Sequence, residues 1–427
     1  MTLALDPVQQ IQGTIEVPGD KSVSHRSLVF GAIAEGVTEV SGILNSADVR
    51  STETCLSALG VSFIRREDKV LVHGRGLHGL QVASHVLDCG NSGTTTRILM
   101  GLLAGQAFDT VLTGDESIQR RPMKRAAEPL REMGARMDLI RGEFAPITIH
   151  GSRLRSIDYS LKVASAQVKT ALLMAGLYAE GTTTIRGQIA SRDHTERMLP
   201  HFGVKLEMAD DAIRIRSGQR LSACPIRVPG DPSSAAFWMG AACLVRGSTL
   251  EIRNVSLNPT RIGLMKVLAR MGASIDVEQT ETSPEPSGHI RISAPHGLRG
   301  TEVLPSEVPS MVDEIPLLAV IASQAEGETI VHGAEELRVK ESDRIVATVT
   351  NLRAMGIEIE SFQDGYRLRG PQRLVGAKID SFLDHRIAMS FAIASLVARG
   401  RTEILRPDCV DISYPEFFQV LQRIGHA

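Results

Sequence analysis

The sequence predicts an α/β protein of two domains built from six copies of one unit. Three observations predict it: the length, a pair of glycine signals that alternate six times, and a tetrapeptide that occurs twice. The chain has 427 residues. That is more than one compact core of ordinary size accommodates, so two domains are expected. The first signal is a small apolar helix tail, a Gly, then strand-forming residues. It stands at Gly36, Gly105, Gly181, Gly247, Gly327 and Gly400. A Gly at a helix end supplies positive φ at low cost, and runs such as Thr182-Thr183-Thr184-Ile185 favour strands. The second signal is Leu-x-x-apolar-Gly, at residues 56–60, 130–134, 199–203, 268–272, 352–356 and 421–425. It marks the end of an amphipathic helix with a Gly cap. Five copies run into an alternating strand and the sixth stands at the end of the chain.

The second-signal glycines (60, 134, 203, 272, 356, 425) are 74, 69, 69, 84 and 69 residues apart. One Leu-x-x-apolar-Gly is a common helix ending, but two interleaved sets of six are not chance. A period of roughly 70 residues is a small subdomain, longer than a solenoid repeat. Val17-Pro18-Gly19-Asp20 recurs as Val228-Pro229-Gly230-Asp231 and splits the six units three and three. The expected domains are therefore a discontinuous one, 1–19 with 230–427, and an inserted one, 20–229. The short strand at 13–17 should join the C-terminal half.

Composition excludes several functions. The net charge is −2 and aromatics are 4% with one Trp, so neither a basic field nor stacking platforms point to nucleic acid. Five scattered cysteines without a C-x-x-C pair (Cys55, Cys89, Cys224, Cys243, Cys409) argue against a disulfide framework or a zinc site. The N-terminus lacks a secretory pattern, and the longest apolar stretches, 171–178 and 315–323, are too short for a bilayer. A cytoplasmic protein without membrane or nucleic-acid partners is expected.

The helix starts carry the functional signal. They include Asp20-Lys21-Ser22, Gly90-Asn91-Ser92-Gly93-Thr94, Arg120-Arg121-Pro122, Ala164-Ser165-Ala166-Gln167, Ser191-Arg192-Asp193, Lys340-Glu341-Ser342-Asp343-Arg344 and Asp384-His385-Arg386. Ser, Asn and Asp are ordinary N-caps worth about 1 kcal/mol. Cations there are not ordinary, because each opposes the helix dipole by about 0.3–1 kcal/mol. Lys21, Arg26, Arg97, Arg121, Arg192, Lys340, Arg344 and Arg386 all fall in or near an expected first turn. An anionic ligand reverses the sign, since free N–H groups, dipole and cations then act together. Among these cations stand Asp313-Glu314 and Glu341, which fit proton transfer as well as salt bridging. His385 is read as structural, holding Arg386.

These strings, in this order through nearly the whole chain, resemble the 5-enolpyruvylshikimate-3-phosphate synthase family. The resemblance implies a two-domain inside-out α/β barrel of the enolpyruvyl transferase type, with three βαβαββ units per domain and the active site in the cleft between them. It implies transfer of the enolpyruvyl group of phosphoenolpyruvate to the 5-hydroxyl of shikimate 3-phosphate, with loss of phosphate and no metal or organic cofactor, by a monomer. Carried over by motif, Lys21, Asn91, Gly93, Thr94, Arg121, Gln167, Arg344 and Arg386 should hold phosphoenolpyruvate. Lys21, Ser22, Arg26, Ser165, Ala166, Gln167, Arg192, Asp313 and Lys340 should hold shikimate 3-phosphate. Asp313, Glu341 and Lys21 should be catalytic: Asp313 takes the hydroxyl proton, and Glu341 and Lys21 manage the methylene proton.

Leu337-Arg338-Val339-Lys340-Glu341 and Ala164-Ser165-Ala166-Gln167 look like the second bacterial class, often described as glyphosate-tolerant. Some tolerant members carry Ala where this chain has Gly93, so glyphosate is expected to inhibit here. Ile412 precedes Ser413-Tyr414-Pro415 where many relatives place a Lys. The sister transferase acting on a UDP-sugar typically carries a reactive Cys on a mobile loop. The comparable Ser117-Ile118-Gln119-Arg120-Arg121 has none.

Overall fold

The computed structural model describes residues 2–67 and 69–426. It is a mixed α/β protein whose chain divides into two units. One runs to Pro18 and resumes over Pro229–Thr282 and from Pro286 onward; the other comprises Gly19–Val228 and Ser283–Glu285. Among the described residues no helix is long and apolar enough to cross a membrane.

The two glycine signals mark two kinds of helix. In the Gly19–Val228 unit the first kind is Lys21–Ile33, Gly93–Ala104 and Ala166–Gly176; in the other it is Pro232–Leu244, Ile315–Ala322 and His385–Ser395. These are buried nearly all round, and completely so in Ile315–Ala322 and His385–Ser395. A helix without a wet face belongs inside a core. The second kind is Ala47–Ala58, Lys124–Glu132 and His194–His201, then Gly263–Arg270, Arg344–Ala354 and Phe417–Ile424. These bury one stripe, as Phe417, Val420, Leu421 and Ile424 do. Strands such as Phe144–His150 alternate buried and wetter residues. Each unit therefore has helices inside and sheets outside with one solvated face.

The sheets repeat one order. A leading strand pairs parallel with the strand after the inner helix. That strand then pairs antiparallel with the last strand of the unit, whose other neighbour is the third. Leu87–Asp88, Thr110–Thr113, Phe144–His150 and Arg136–Ile140 show it. So do Asp158–Leu161, Thr182–Gly187, Ala212–Arg216 and Leu206–Ala209. Two leading strands are exchanged along the chain. Gln10–Glu16 pairs parallel with Thr249–Ser256, and Ile226–Arg227 pairs parallel with Val37–Ser41. Each lies just ahead of a Val-Pro-Gly-Asp copy and serves a sheet far away in sequence. The turns need glycine: a Cβ on Gly19 would stand 2.0 Å from the Gly42 carbonyl oxygen, and one on Gly230 would stand 2.8 Å from Val17 Cγ2.

The N-terminal strand spans Gln10–Glu16 rather than 13–17, and Thr2–Leu5 adds an unforeseen strand antiparallel to Thr402–Leu405. The sixth second signal enters a strand after all, since Gly425–His426 pairs with Gln10 and Ile11. Two signal glycines depart from positive φ: Gly105 at −92° and Gly425 at −83°. At Gly105 glycine is needed for space rather than for its φ, because a Cβ would lie 2.4 Å from Tyr178 Cγ.

Candidate active site

In the Gly19–Val228 unit, three inner helices begin on side-chain caps. Asp20 accepts from the Val23 amide at 2.9 Å, Ser92 from Thr95 at 3.1 Å and Ser165 from Val168 at 3.4 Å. Lys21 is the first residue of its helix, and its Nζ lies 3.1 Å from Asp48 Oδ2. Asp48 stands in the first turn of the neighbouring helix, on the correct side for the dipole. One turn on, Thr52 lies 2.7 Å from His25 Nδ1 and 2.6 Å from Thr95 Oγ1. That buried chain ties the Lys21 helix to the Ser92 cap. Burial, then the Lys21 and Arg26 charges, hold the His25 ring well below its usual range.

The Gly90–Thr94 loop is where the cations gather. Arg97 donates to Gln167 Oε1 at 2.7 Å, the Pro122 carbonyl at 3.1 Å and the Gly93 carbonyl at 3.3 Å. Gln167 donates to Thr94 Oγ1 at 3.1 Å. A Cβ on Gly93 would meet Arg97 Nη1 at 2.7 Å and Arg121 Nη2 at 3.1 Å. The structure thus brings Gly93, Thr94, Gln167 and Arg121 together, and adds Arg97 as the residue locking them. Asn91 donates to Asp115 Oδ2 at 2.7 Å. Ser22, Ser165, Ala166 and Arg192 are half-buried.

Two expectations change here. Arg121 does not begin a helix; it is the C-cap of Glu116–Arg120, where a cation suits the dipole. Arg26 lies a turn and a half into its helix, fully buried. It donates to Thr195 Oγ1 at 2.7 Å, Thr170 Oγ1 at 2.8 Å and the Ser22 carbonyl at 3.0 Å. Burial draws its pKa down to about 10. Three of its five N–H donors go to protein acceptors, so it braces three helix starts. Deeper still, Lys169 is ion-paired with Glu196 and donates to the Ile189 carbonyl at 3.0 Å.

The other unit gathers carboxylates. Arg344, first residue of its helix behind the Asp343 cap, donates to Asp313 Oδ1 at 2.8 Å, Glu341 Oε2 at 2.7 Å and Asp384 Oδ2 at 2.8 Å. Asp384 also caps His385–Ser395 and accepts from Ser342 Oγ at 3.0 Å. With three carboxylates around it, the buried Arg344 is held firmly in its charged form, its pKa raised by those charges against the pull of burial. Lys340 follows the turn Glu335–Val339 rather than opening a helix, and its Nζ is 3.6 Å from Glu336. Arg386 lies under Phe237 with its guanidinium carbon 5.8 Å from the ring centre. Its Nη1 is 4.0 Å from Glu314 Oε1. Burial, then Asp313, push the Glu314 carboxyl up, while Arg386, Arg261 and the Ser233 hydroxyl oppose the shift. Phe382 and Leu383, at φ 53° and 57°, are left-handed residues just before Asp384, a strained approach of the kind that marks functional segments.

Sequence reasoning singled out neither Asp48 nor Asp115, because single acids near helix starts look like ordinary caps. Among the described residues no group of His, Cys, Asp or Glu is arranged to hold a metal ion.

Comparison with known proteins follows the same pattern. A model of EPSP synthase (3-phosphoshikimate 1-carboxyvinyltransferase) matches residues 5–421. A 3-phosphoshikimate 1-carboxyvinyltransferase of Shouchella clausii is 49% identical over 420 residues, 97% of this chain and 96% of its own. One of Bacillus subtilis is 46% identical over 423 residues, covering 98% and 99%. The solved EPSP synthase of Acinetobacter baumannii superposes with a TM-score of 0.89 at 41% identity, covering 99% of this chain and 98% of that one. With that identity sustained from end to end, the chain belongs to the EPSP synthase family.

Proposed function

We propose that the chain transfers the enolpyruvyl group of phosphoenolpyruvate to the 5-hydroxyl of shikimate 3-phosphate and releases phosphate. One observation carries the division of labour: Asp313 and Glu341 meet on a single guanidinium, while Lys21, Arg97 and Arg121 stand at or beside the helix starts of the other unit.

Two multiply charged anions repel each other, so Lys21, Arg121 and Arg386 offset that repulsion, with Asn91, Gly93, Thr94 and Gln167 shaping the phosphoenolpyruvate end. Ser22, Ser165, Ala166, Arg192 and Lys340 serve shikimate 3-phosphate, with Arg26 bracing them from below. Asp313 accepts the 5-hydroxyl proton as that oxygen bonds to C2 of phosphoenolpyruvate. C3 gains a proton, a transfer assigned to Glu341 and Lys21, giving a tetrahedral adduct. The C–O bond to phosphate then breaks, and the methyl group returns its proton to restore the double bond. Positive charge developing at C2 is stabilised by the Asp313 and Glu341 carboxylates. Arg344 keeps both carboxylates in place. We read each unit, helices inside and sheets outside, as the inside-out α/β barrel of enolpyruvyl transferases, and the enzyme as a cytoplasmic monomer.

Phosphate release from a mixture of phosphoenolpyruvate and shikimate 3-phosphate tests the reading. Continuous release is expected with that pair and none with a UDP-sugar as acceptor. No release with the shikimate pair, or release with the UDP-sugar, contradicts it.

A further inference from the structure

Arg386 and Glu314 are both buried, and they face each other across a gap too long for a hydrogen bond. Arg386 Nη1 and Glu314 Oε1 are 4.0 Å apart. Arg386 Nε and Nη1 and Glu314 Oε1 all lack hydrogen-bond partners. Such unmet groups are costly in a core and draw in any better partner. The surroundings keep the gap open. Glu314 is held by the Ser233 hydroxyl, Ser233 accepts from Arg261 Nη2 at 3.0 Å, and the same nitrogen donates to Asp231 Oδ1 at 3.0 Å. Phe237 supports the Arg386 guanidinium from its face. Asp231 and Arg261 balance each other, which leaves Glu314 as the charge set against Arg386.

We propose that Glu314 is a positioning residue for Arg386, an internal carboxylate that holds the guanidinium for a substrate anion while discounting its charge. A ligand carboxylate or phosphate arriving at Arg386 makes the short contacts that Glu314 does not. Glu314 remains close enough to weaken the hold on the anion, and so promotes release of phosphate at the end of each turnover. The inference rests on the reading of Arg386 as an anion-binding residue.

The test is steady-state kinetics with phosphoenolpyruvate varied, plus product inhibition by inorganic phosphate, on Glu314→Gln, Arg386→Ala and the double variant. Glu314→Gln keeps the shape and removes the charge. Its KM for phosphoenolpyruvate and its inhibition constant for phosphate should both fall about tenfold, and kcat should fall with them as phosphate leaves more slowly. A merely structural Glu314 would leave both constants unchanged or raise them. In the Arg386→Ala background the same substitution should change neither constant. Should Glu314→Gln fold poorly, Glu314→Asp withdraws the carboxylate by one methylene and should shift both constants the same way by less. An unchanged or raised KM in the folded variant, with Arg386→Ala still weakening phosphoenolpyruvate, overturns the proposal and spares the reading of Arg386. An unchanged KM in Arg386→Ala overturns both.

Discussion

The two helix starts behind the twin Val-Pro-Gly-Asp turns share a backbone and differ in charge. Asp20 and Asp231 both cap their helices. Behind Asp20 stands Lys21, paired with Asp48 from the next helix. Behind Asp231 stands Pro232, and the neighbouring cation, Arg261, turns inward onto Asp231 and Ser233. The pattern extends through both units. One presents Lys21, Arg97 and Arg121; the other presents Asp313, Glu314, Glu341 and Asp384 around Arg344 and Arg386. Six similar scaffolds thus carry dissimilar tasks: repeated backbone sets where helices begin, and unrepeated side chains decide whether a start attracts an anion or moves a proton.

The contrast can be broken from the basic side first. Glu196→Ala strands Lys169 deep in that unit, and an uncompensated buried charge costs about 3 kcal/mol. Urea unfolding should show that loss. A midpoint equal to wild type would mean the pair contributes nothing to the platform beneath the cations. Next, Lys21→Ala should raise KM for phosphoenolpyruvate about 30-fold, as loss of one charge-assisted contact of about 2 kcal/mol requires. An unchanged KM would move anion binding away from that helix start. Gly93→Ala is milder, because the atoms it meets are the far ends of Arg97 and Arg121. KM for phosphoenolpyruvate should rise about threefold, on the order of 0.7 kcal/mol. Inhibition by glyphosate, a longer mimic, should weaken more. Equal weakening of the two would show that Gly93 does not discriminate by space.

The last effect concerns His25 and develops only with pH. Its folded pKa lies below the unfolded value of 6.5, so the unfolded chain binds the proton first. Its contribution to stability is full above pH 6.5 and is lost as pH falls, at up to about 1.4 kcal/mol per pH unit. His25→Gln should flatten the acid limb of a plot of Tm against pH. An unaltered limb would assign acid sensitivity to other groups.

Much of this was legible because it is local. The glycine signals, the caps at Asp20, Ser92 and Asp384 and the twin turns each depend on a few adjacent residues, and ten of the twelve signal glycines take positive φ. What escaped the sequence depends on distant partners. The twin turns assign the N-terminal strand to the C-terminal half, but nothing near Gln10–Glu16 says that it leads the sheet of Thr249–Ser256, and nothing in Arg344 announces three carboxylates from three segments. Arg26 and Arg121 looked alike as cations near helix starts. Burial among Thr170 and Thr195 makes one a brace, and a short helix ending at Arg120 makes the other a C-cap. Glu314, read as one of a pair with Asp313, is separated from it by which way each side chain leaves a single turn.

That the carboxylates around Arg344 perform chemistry rather than hold ligands is tested most directly in Asp313→Ala. Calorimetric titration of that variant with shikimate 3-phosphate and then phosphoenolpyruvate, followed by an assay of phosphate release on the same sample, separates binding from turnover. The account predicts that both ligands still bind while release slows about 10³-fold, the loss expected of a missing general base. Release at the wild-type rate would remove Asp313 from the reaction, and with it the division between the two regions.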